Sequence, residues 1–219
     1  MKQNHFRLNL LVAAAFTMMM ASCAKDDTTA PIITLNGDAE ISLDLQQPYV
    51  ELGATAVDDE DGEVSVEISG SVNVNQKGEY IITYTATDEA GNIASEERIV
   101  NVVNSADLLA GAYNNAADNC TASGQGTFNA TISTSNTQNG KFSIANFGAF
   151  GTAIIVELTY NKQNQTITAV GGQSLGGGAV LTSVTNGQLL SQSPVSFSIG
   201  YTWIDSGGAT DFCTSTYTK

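Results

Sequence analysis

Histidine and basic residues are scarce in this chain, and both shortages exclude classes of function. The single His lies at position 5, so the rest of the chain can form neither a His-based catalytic triad nor a His-ligated zinc site. Lys and Arg number 8 against 22 Asp and Glu, a net charge of -14 at pH 7. Because nucleic-acid phosphates require a basic face, this balance argues against DNA or RNA as a partner.

Proline and cysteine are also few, with three residues of each. Disordered chains are rich in Pro and charge, whereas this chain holds 21 Gly and many Thr, Val, Ile and Tyr, which favour β-strands separated by turns. A length of 219 residues allows one or two domains. We therefore predict an all-β protein.

The first 22 residues have the pattern of an export signal. Lys2 and Arg7 precede an apolar run at residues 8–20, which is shorter than the roughly 20 residues that span a bilayer. The run ends at Met20-Ala21-Ser22-Cys23, which resembles a bacterial lipoprotein signal. The resemblance implies that Cys23 is the first mature residue and carries the lipid, palmitate included, while an ordinary signal peptide with a chance Cys is the alternative.

The residues after Cys23 resemble a second localisation signal. Cys23-Ala24-Lys25-Asp26-Asp27 resembles the surface-export tag of Bacteroidetes lipoproteins, in which Lys25, Asp26 and Asp27 form the charged part. The resemblance implies a protein held by its lipid on the outer face of the outer membrane. The alternative is a polar tether that happens to be charged.

Charge divides the mature chain into two segments. Residues 24–104 hold 17 acids and three basic residues, a net -14, whereas residues 105–219 hold five acids and three Lys, a net -2. Such asymmetry indicates two modules with different surfaces. We predict a signal peptide at 1–22, a lipidated tether at 23–30, one module at 31–104 and a second at 105–219.

Residues 31–104 have the pattern of a β-sandwich, with short alternating runs separated by turns. Tyr80, Ile82, Tyr84 and Ala86 share one face of the longest run. Four motifs resemble the bacterial surface Ig-like domain named after a pesticidal crystal protein: YVELGATA at 49–56, DEDG at 59–62, Gly78-x-Tyr80, and TYTATDEAGN at 83–92. The resemblance implies a spacer or presentation module without activity of its own, and Gly78-x-Tyr80 also resembles a tyrosine corner.

The acidic turns of this module suggest a calcium site. Carboxylate oxygens are the ligands that Ca²⁺ prefers, and Asp58, Asp59, Asp61 and Asp88 could converge if their two turns share one end of the sandwich. The spacing of an EF-hand is absent, since a loop aligned on Gly62 would begin at Val57 and end at Ile68. The alternative is a solvated acidic loop, and apart from this calcium we expect no cofactor.

Residues 105–219 form a second all-β module in this interpretation. Val195, Phe197, Ile199 and Tyr201 alternate with Ser196, Ser198 and Gly200, a pattern typical of antiparallel sheet with one wet face. About eight such runs predict a meander that closes into a lipocalin-like barrel or stacks as a second sandwich.

Two features of this module bear on stability and on binding. Cys120 and Cys213 are the only mature cysteines besides Cys23, so an exported chain is expected to pair them as a disulfide, with two separate buried thiols as the alternative.

Tyr160, Tyr201 and Trp203 could form a stacking platform for a sugar, although strand aromatics usually lie in the core.

These observations favour a non-enzymatic surface lipoprotein. In this hypothesis the Ig-like module presents the C-terminal module to a glycan or protein partner, and the membrane is contacted through Cys23. The alternative is a lipocalin-like carrier or inhibitor with a cavity for a small apolar ligand. A weak hydrolase would need an exposed carboxylate pair, for which the second module offers only five acids.

Overall fold

A computed structural model describes residues 27–150, 154–169 and 171–219 of the chain. The predicted signal peptide, Cys23, Lys25 and Asp26 lie outside these residues. The described residues form an all-β structure with two short 3-10 turns, at Asp107–Leu109 and Phe147–Ala149, which confirms the predicted fold class. Within these residues, no helix is both long and apolar enough to cross a membrane.

The first module is a sandwich of two sheets. Strands β1, β3 and β4 form one sheet in that order, and β2, β7, β6 and β5 form the other. The strands are β1 (Ile32–Leu35), β2 (Glu40–Asp44), β3 (Ala54–Asp58), β4 (Gly62–Val64), β5 (Val66–Ser69), β6 (Gly78–Thr87) and β7 (Ile93–Val103).

The core of the sandwich comes from the alternation that the sequence displays. Ile82, Tyr84 and Ala86 of β6 are buried, and Ile82 and Tyr84 form one core cluster with Val100 and Val102 of β7 and Leu45 after β2. The hydroxyl of Tyr80 donates a hydrogen bond to the backbone carbonyl of Gln76 at 2.7 Å, which is the contact that defines a tyrosine corner.

The second module is a closed eight-stranded antiparallel barrel, so the barrel rather than the second sandwich is the correct alternative. Strands β8 to β12 pair in sequence, β12 closes onto β14, β14 to β16 pair in sequence, and β16 pairs with β8, while β13 pairs with the first residues of β14. The strands are β8 (Gly111–Cys120), β9 (Gly124–Thr134), β10 (Lys141–Ala145), β11 (Ile155–Asn161), β12 (Thr166–Thr168), β13 (Gln173–Gly176), β14 (Ala179–Gln192), β15 (Val195–Ile204) and β16 (Thr210–Thr218).

Side chains fill the interior of this barrel. Tyr113, Phe197 and Tyr217 are fully buried, and the rings of Phe197 and Tyr217 stack with centroids 4.6 Å apart. Tyr113 and Phe128 meet this pair edge to face. An eight-stranded barrel is just wide enough for side chains to fill it, and here aromatic rings do so. The described structure therefore gives no support to the hollow carrier.

Candidate functional site

Three carboxylates converge at one end of the Ig-like module. Asp27 precedes β1, Asp58 ends β3, and Asp88 follows β6. Each offers a carboxylate oxygen, and these three oxygens lie within 4.8 Å of one another. The predicted convergence of the two acidic turns is thus present for Asp58 and Asp88. Asp27, which the sequence suggested only as part of an export tag, is the third member of this acidic triad.

Hydrogen bonds hold the triad in place but leave part of it unpaired. Asp58 Oδ1 accepts the backbone N–H groups of Glu60 and Asp61 at 2.9 and 3.0 Å. Burial alone would raise the pKa of Asp88, but hydrogen bonds from the side chain and backbone of Asn92 outweigh it and lower that pKa. Asp27 Oδ2 and Asp58 Oδ2 are buried and have no hydrogen-bond partner.

Asp59 and Asp61 lie outside the triad, which corrects the predicted set of four ligands. Asp59 is exposed to solvent. Asp61 Oδ2 instead accepts the backbone N–H of Glu89 at 2.7 Å and so ties one acidic turn to the other. Asp61 therefore positions the loop that carries Asp58.

A partly buried ion pair in the same module was missed by sequence reasoning. Arg98 is only 1% exposed, and its Nη1 lies 2.6 Å from Glu51 Oε1. Tyr49 and Tyr84 donate hydrogen bonds to the two oxygens of Glu51, and Arg98 also donates to the backbone carbonyls of Asn36 and Asp38. A lone Arg on the apolar face of β7 was the available signal, and the full pairing indicates a structural role.

The predicted disulfide closes the barrel. Cys120 and Cys213 are bonded to each other and stand directly opposite where β8, the first strand, pairs with β16, the last. Beside them Asp118 accepts hydrogen bonds from Tyr201 at 2.7 Å and Ser215 at 2.9 Å. Because both sulfurs are oxidised, this group of Asp118 and two cysteines is a structural cluster rather than a metal site.

The predicted stacking platform is wrong for two of its three aromatics. Tyr160 and Tyr201 lie in the barrel core, 3% and 2% exposed, because inward positions of β11 and β15 carry them. Trp203 is partly buried, and its ring packs edge to face on Phe150 with centroids 5.1 Å apart. These three rings offer no common surface on which a sugar could stack.

An exposed aromatic lies instead on the outer face of the barrel. Phe212 of β16 is 58% exposed and stands opposite Thr202 of β15. The neighbouring row across the strands is polar and consists of Thr185, Gly200, Thr214 and Asn119. Together these residues line a shallow cleft of about 410 Å³, which we call the Phe212 cleft. Gly200 permits the close approach of β14, since a Cβ there would lie 2.7 Å from the carbonyl oxygen of Thr185.

Most acids of the barrel module are engaged in local structure. Asp211 accepts hydrogen bonds from Thr121, Ala122 and Ser123, and these bonds outweigh burial, which acts the other way, and lower its pKa strongly. Asp205 accepts the N–H groups of a tight turn. These roles leave little carboxylate chemistry for hydrolysis in this module.

The two modules are joined at several separate points. Lys77, between β5 and β6, forms an ion pair with Asp107 at 2.7 Å, and its backbone N–H donates to Asn136. Asn104 is buried, and its side chain donates to backbone carbonyls of the β9–β10 connection, among them Ser135 at 2.9 Å. A third contact joins Lys162 to Asp44 at 3.0 Å.

Comparison with known proteins bears most directly on the identity of the first module. Residues 33–102 match the family model described as bacterial surface protein, Ig-like domain, which confirms the predicted resemblance. Among solved structures, the chain is similar to the lipoprotein BT2262 from Bacteroides thetaiotaomicron, with 26% identity, 85% of this chain and 99% of that chain covered, and a TM-score of 0.39. A search of curated proteins finds no match.

Proposed function

We propose that this chain is a lipoprotein held in the outer membrane by Cys23 and displayed on the cell surface, where the Ig-like module presents the barrel for glycan binding. The signal and export-tag resemblances support the anchor and its address. The match of residues 33–102 to a bacterial surface domain supports display.

The path of the chain through the Ig-like module supports the proposed role of this module as a spacer. Asp27 lies beside the turn between β6 and β7, where Asn92 Nδ2 donates to its carbonyl at 3.4 Å. Strand β7 then runs 11 residues to Val103, next to the barrel, which corresponds to about 35 Å. The tether and the barrel are thus at opposite ends of one strand, as a spacer requires.

The contacts between the Ig-like module and the barrel also support the spacer role. Lys77, Asp44 and Asn104 contact the barrel from different parts of the Ig-like module. Burial acts to raise the pKa of Asp107, but hydrogen bonds from Lys77 and Thr134 outweigh it and lower that pKa, so Asp107 is ionised at neutral pH. A stiff joint would hold one side of the barrel in a constant orientation to the membrane.

The Phe212 cleft is the surface that best fits a carbohydrate. The C–H face of a sugar ring is apolar and stacks on an aromatic ring, while its hydroxyls pair with Thr and Asn side chains such as Thr185, Thr214 and Asn119. A filled interior leaves the outer surface as the place for such contacts. Phe212 supplies the ring and the polar row supplies the hydrogen bonds.

Glycan arrays probed with the chain from residue 24 onward test this function. Phe212→Ala is expected to weaken binding at least tenfold, which corresponds to about 1.4 kcal/mol. Ile155→Ala is the matched control, because Ile155 is 59% exposed and lies on β11, on the far side of the barrel. The glycan proposal fails if no glycan binds, if both variants lose binding equally, or if Phe212 proves necessary only for binding a protein.

Surface labelling of intact cells tests the proposed location on the cell surface separately. Cys23→Ser is expected to release the protein from the membrane fraction, because it removes the acylated residue. Lys25→Ala is expected to stay membrane-bound and lose surface label, since it changes only the tag. Full labelling of the Lys25 variant would contradict the export-tag hypothesis.

A further inference from the structure

The acidic triad combines three like charges with unpaired oxygens. Asp58 is only 4% exposed, and its Oδ2 and Asp27 Oδ2 are buried without a hydrogen-bond partner. Buried polar atoms are nearly always paired with protein, water or an ion. The three ion pairs in the described part of the chain engage Asp107, Glu51 and Asp44, so none of the described Lys or Arg side chains pairs with the triad.

We infer that Asp27, Asp58 and Asp88 bind a calcium ion that fastens the N-terminal tether to the end of the Ig-like module. A cation would satisfy the unpaired oxygens of Asp27 and Asp58 and remove the repulsion among three carboxylates. The ligands come from three segments distant in sequence, so the ion would cross-link the tether, the end of β3 and the turn after β6.

The donor set favours calcium over other biological cations. All three side chains are carboxylates, and hard oxygen ligands suit Ca²⁺ or Mg²⁺, whereas zinc prefers His and Cys. Mg²⁺ demands a small, near-octahedral shell and keeps most of its water. Three carboxylates from a strand end and two turns match the larger and more tolerant shell of Ca²⁺.

The consequence for the cell surface rests on the proposed function. Asp27 lies four residues after Cys23, a distance of about 14 Å at full extension. A calcium clamp at Asp27 therefore leaves only this short segment between the lipid and the folded module. The module would then stand close to the membrane instead of moving on a longer tether.

Calorimetric titration of the metal-free chain from residue 24 with CaCl₂ tests the site. One calcium per chain is expected, with a Kd of about 0.1–1 mM, as in extracellular calcium modules, and with weaker binding of MgCl₂. Asp27→Asn and Asp58→Asn should each weaken binding at least tenfold. Asp59→Asn is the matched control, because Asp59 lies beside Asp58 but outside the triad, and it should bind as the unchanged chain does.

Two further measurements need no variant that could fail to fold. Calcium should raise the melting temperature of the Ig-like module, since only the folded state forms the site, and it should slow trypsin cleavage after Lys25. No binding up to about 10 mM, well above the expected Kd, or equal losses in the Asp58 and Asp59 variants would overturn the inference. Glycan binding at the Phe212 cleft does not depend on calcium, so each proposal can fail alone.

Discussion

Reducing the disulfide should destabilise the barrel more than the removal of any single hydrogen bond would. Cys120 and Cys213 are 93 residues apart, and they join the first strand to the last. In the chain-entropy model, a cross-link that closes a loop of this length stabilises the folded state by about 4.6 kcal/mol at 25 °C. Most of this effect comes from restricting the unfolded chain.

The single Trp makes the barrel measurable within the whole protein. Trp203 lies on β15 and the chain contains no other Trp, so its fluorescence follows barrel unfolding and not that of the Ig-like module. The chain from residue 24 holds only the two paired cysteines. With a slope of about 1.5 kcal/mol per M, reduction should lower the urea midpoint by about 3 M. The slope itself should rise, because a reduced unfolded chain exposes more surface.

The matched control is the double variant Cys120→Ala/Cys213→Ala. It should show the lower midpoint with or without reductant, because it has no bond to break. A loss below about 1 kcal/mol on reduction, with an unchanged slope, would refute the chain-entropy account. The seam between β8 and β16 would then be held mainly by its strand pairing and side chains.

Two further predictions concern buried groups in each module. Arg98→Met should destabilise the Ig-like module by about 3 kcal/mol, because Glu51 would lose its cation and the carbonyls of Asn36 and Asp38 their donor. Calorimetric melting measures this, and Glu51→Gln in the same chain should restore only the part of the loss that comes from the charge of Glu51. Burial raises the pKa of Tyr113 to about 12, whereas an unfolded Tyr titrates near 10. The barrel therefore keeps its full stability below pH 10 and loses stability as the pH rises through 12. Urea midpoints from Trp203 fluorescence across this range should fall less in Tyr113→Phe, and a constant midpoint in the unchanged chain would contradict this.

Local pattern was enough to predict much of the fold. The alternation of Ile82, Tyr84 and Ala86 on β6, and of Phe197, Ile199 and Tyr201 on β15, gives the buried faces that the structure contains. Side chains of a strand alternate between faces with a period of two, so a sequence displays this pattern directly. The pairing of two mature cysteines was equally accessible, because export favours a disulfide and only one partner was available.

Local pattern failed where a residue's surroundings come from distant strands. Phe212 is exposed while Asp211 and Ser215 point inward, since the register that sets Cys213 opposite Cys120 decides the faces of β16. A shift of one position would exchange every inward side chain with an outward one.

By itself, the sequence predicted an all-β protein, an acidic sandwich module followed by a nearly neutral β module, and a disulfide between its two mature cysteines. These properties depend on composition, on alternation and on turn residues close together in the chain. Only the tertiary structure decided that the second module closes into a filled barrel, that Asp27 joins Asp58 and Asp88, and that Arg98 meets Glu51. Each of these contacts joins residues far apart in the chain, and strand pairing and packing, which no short segment specifies, bring them together.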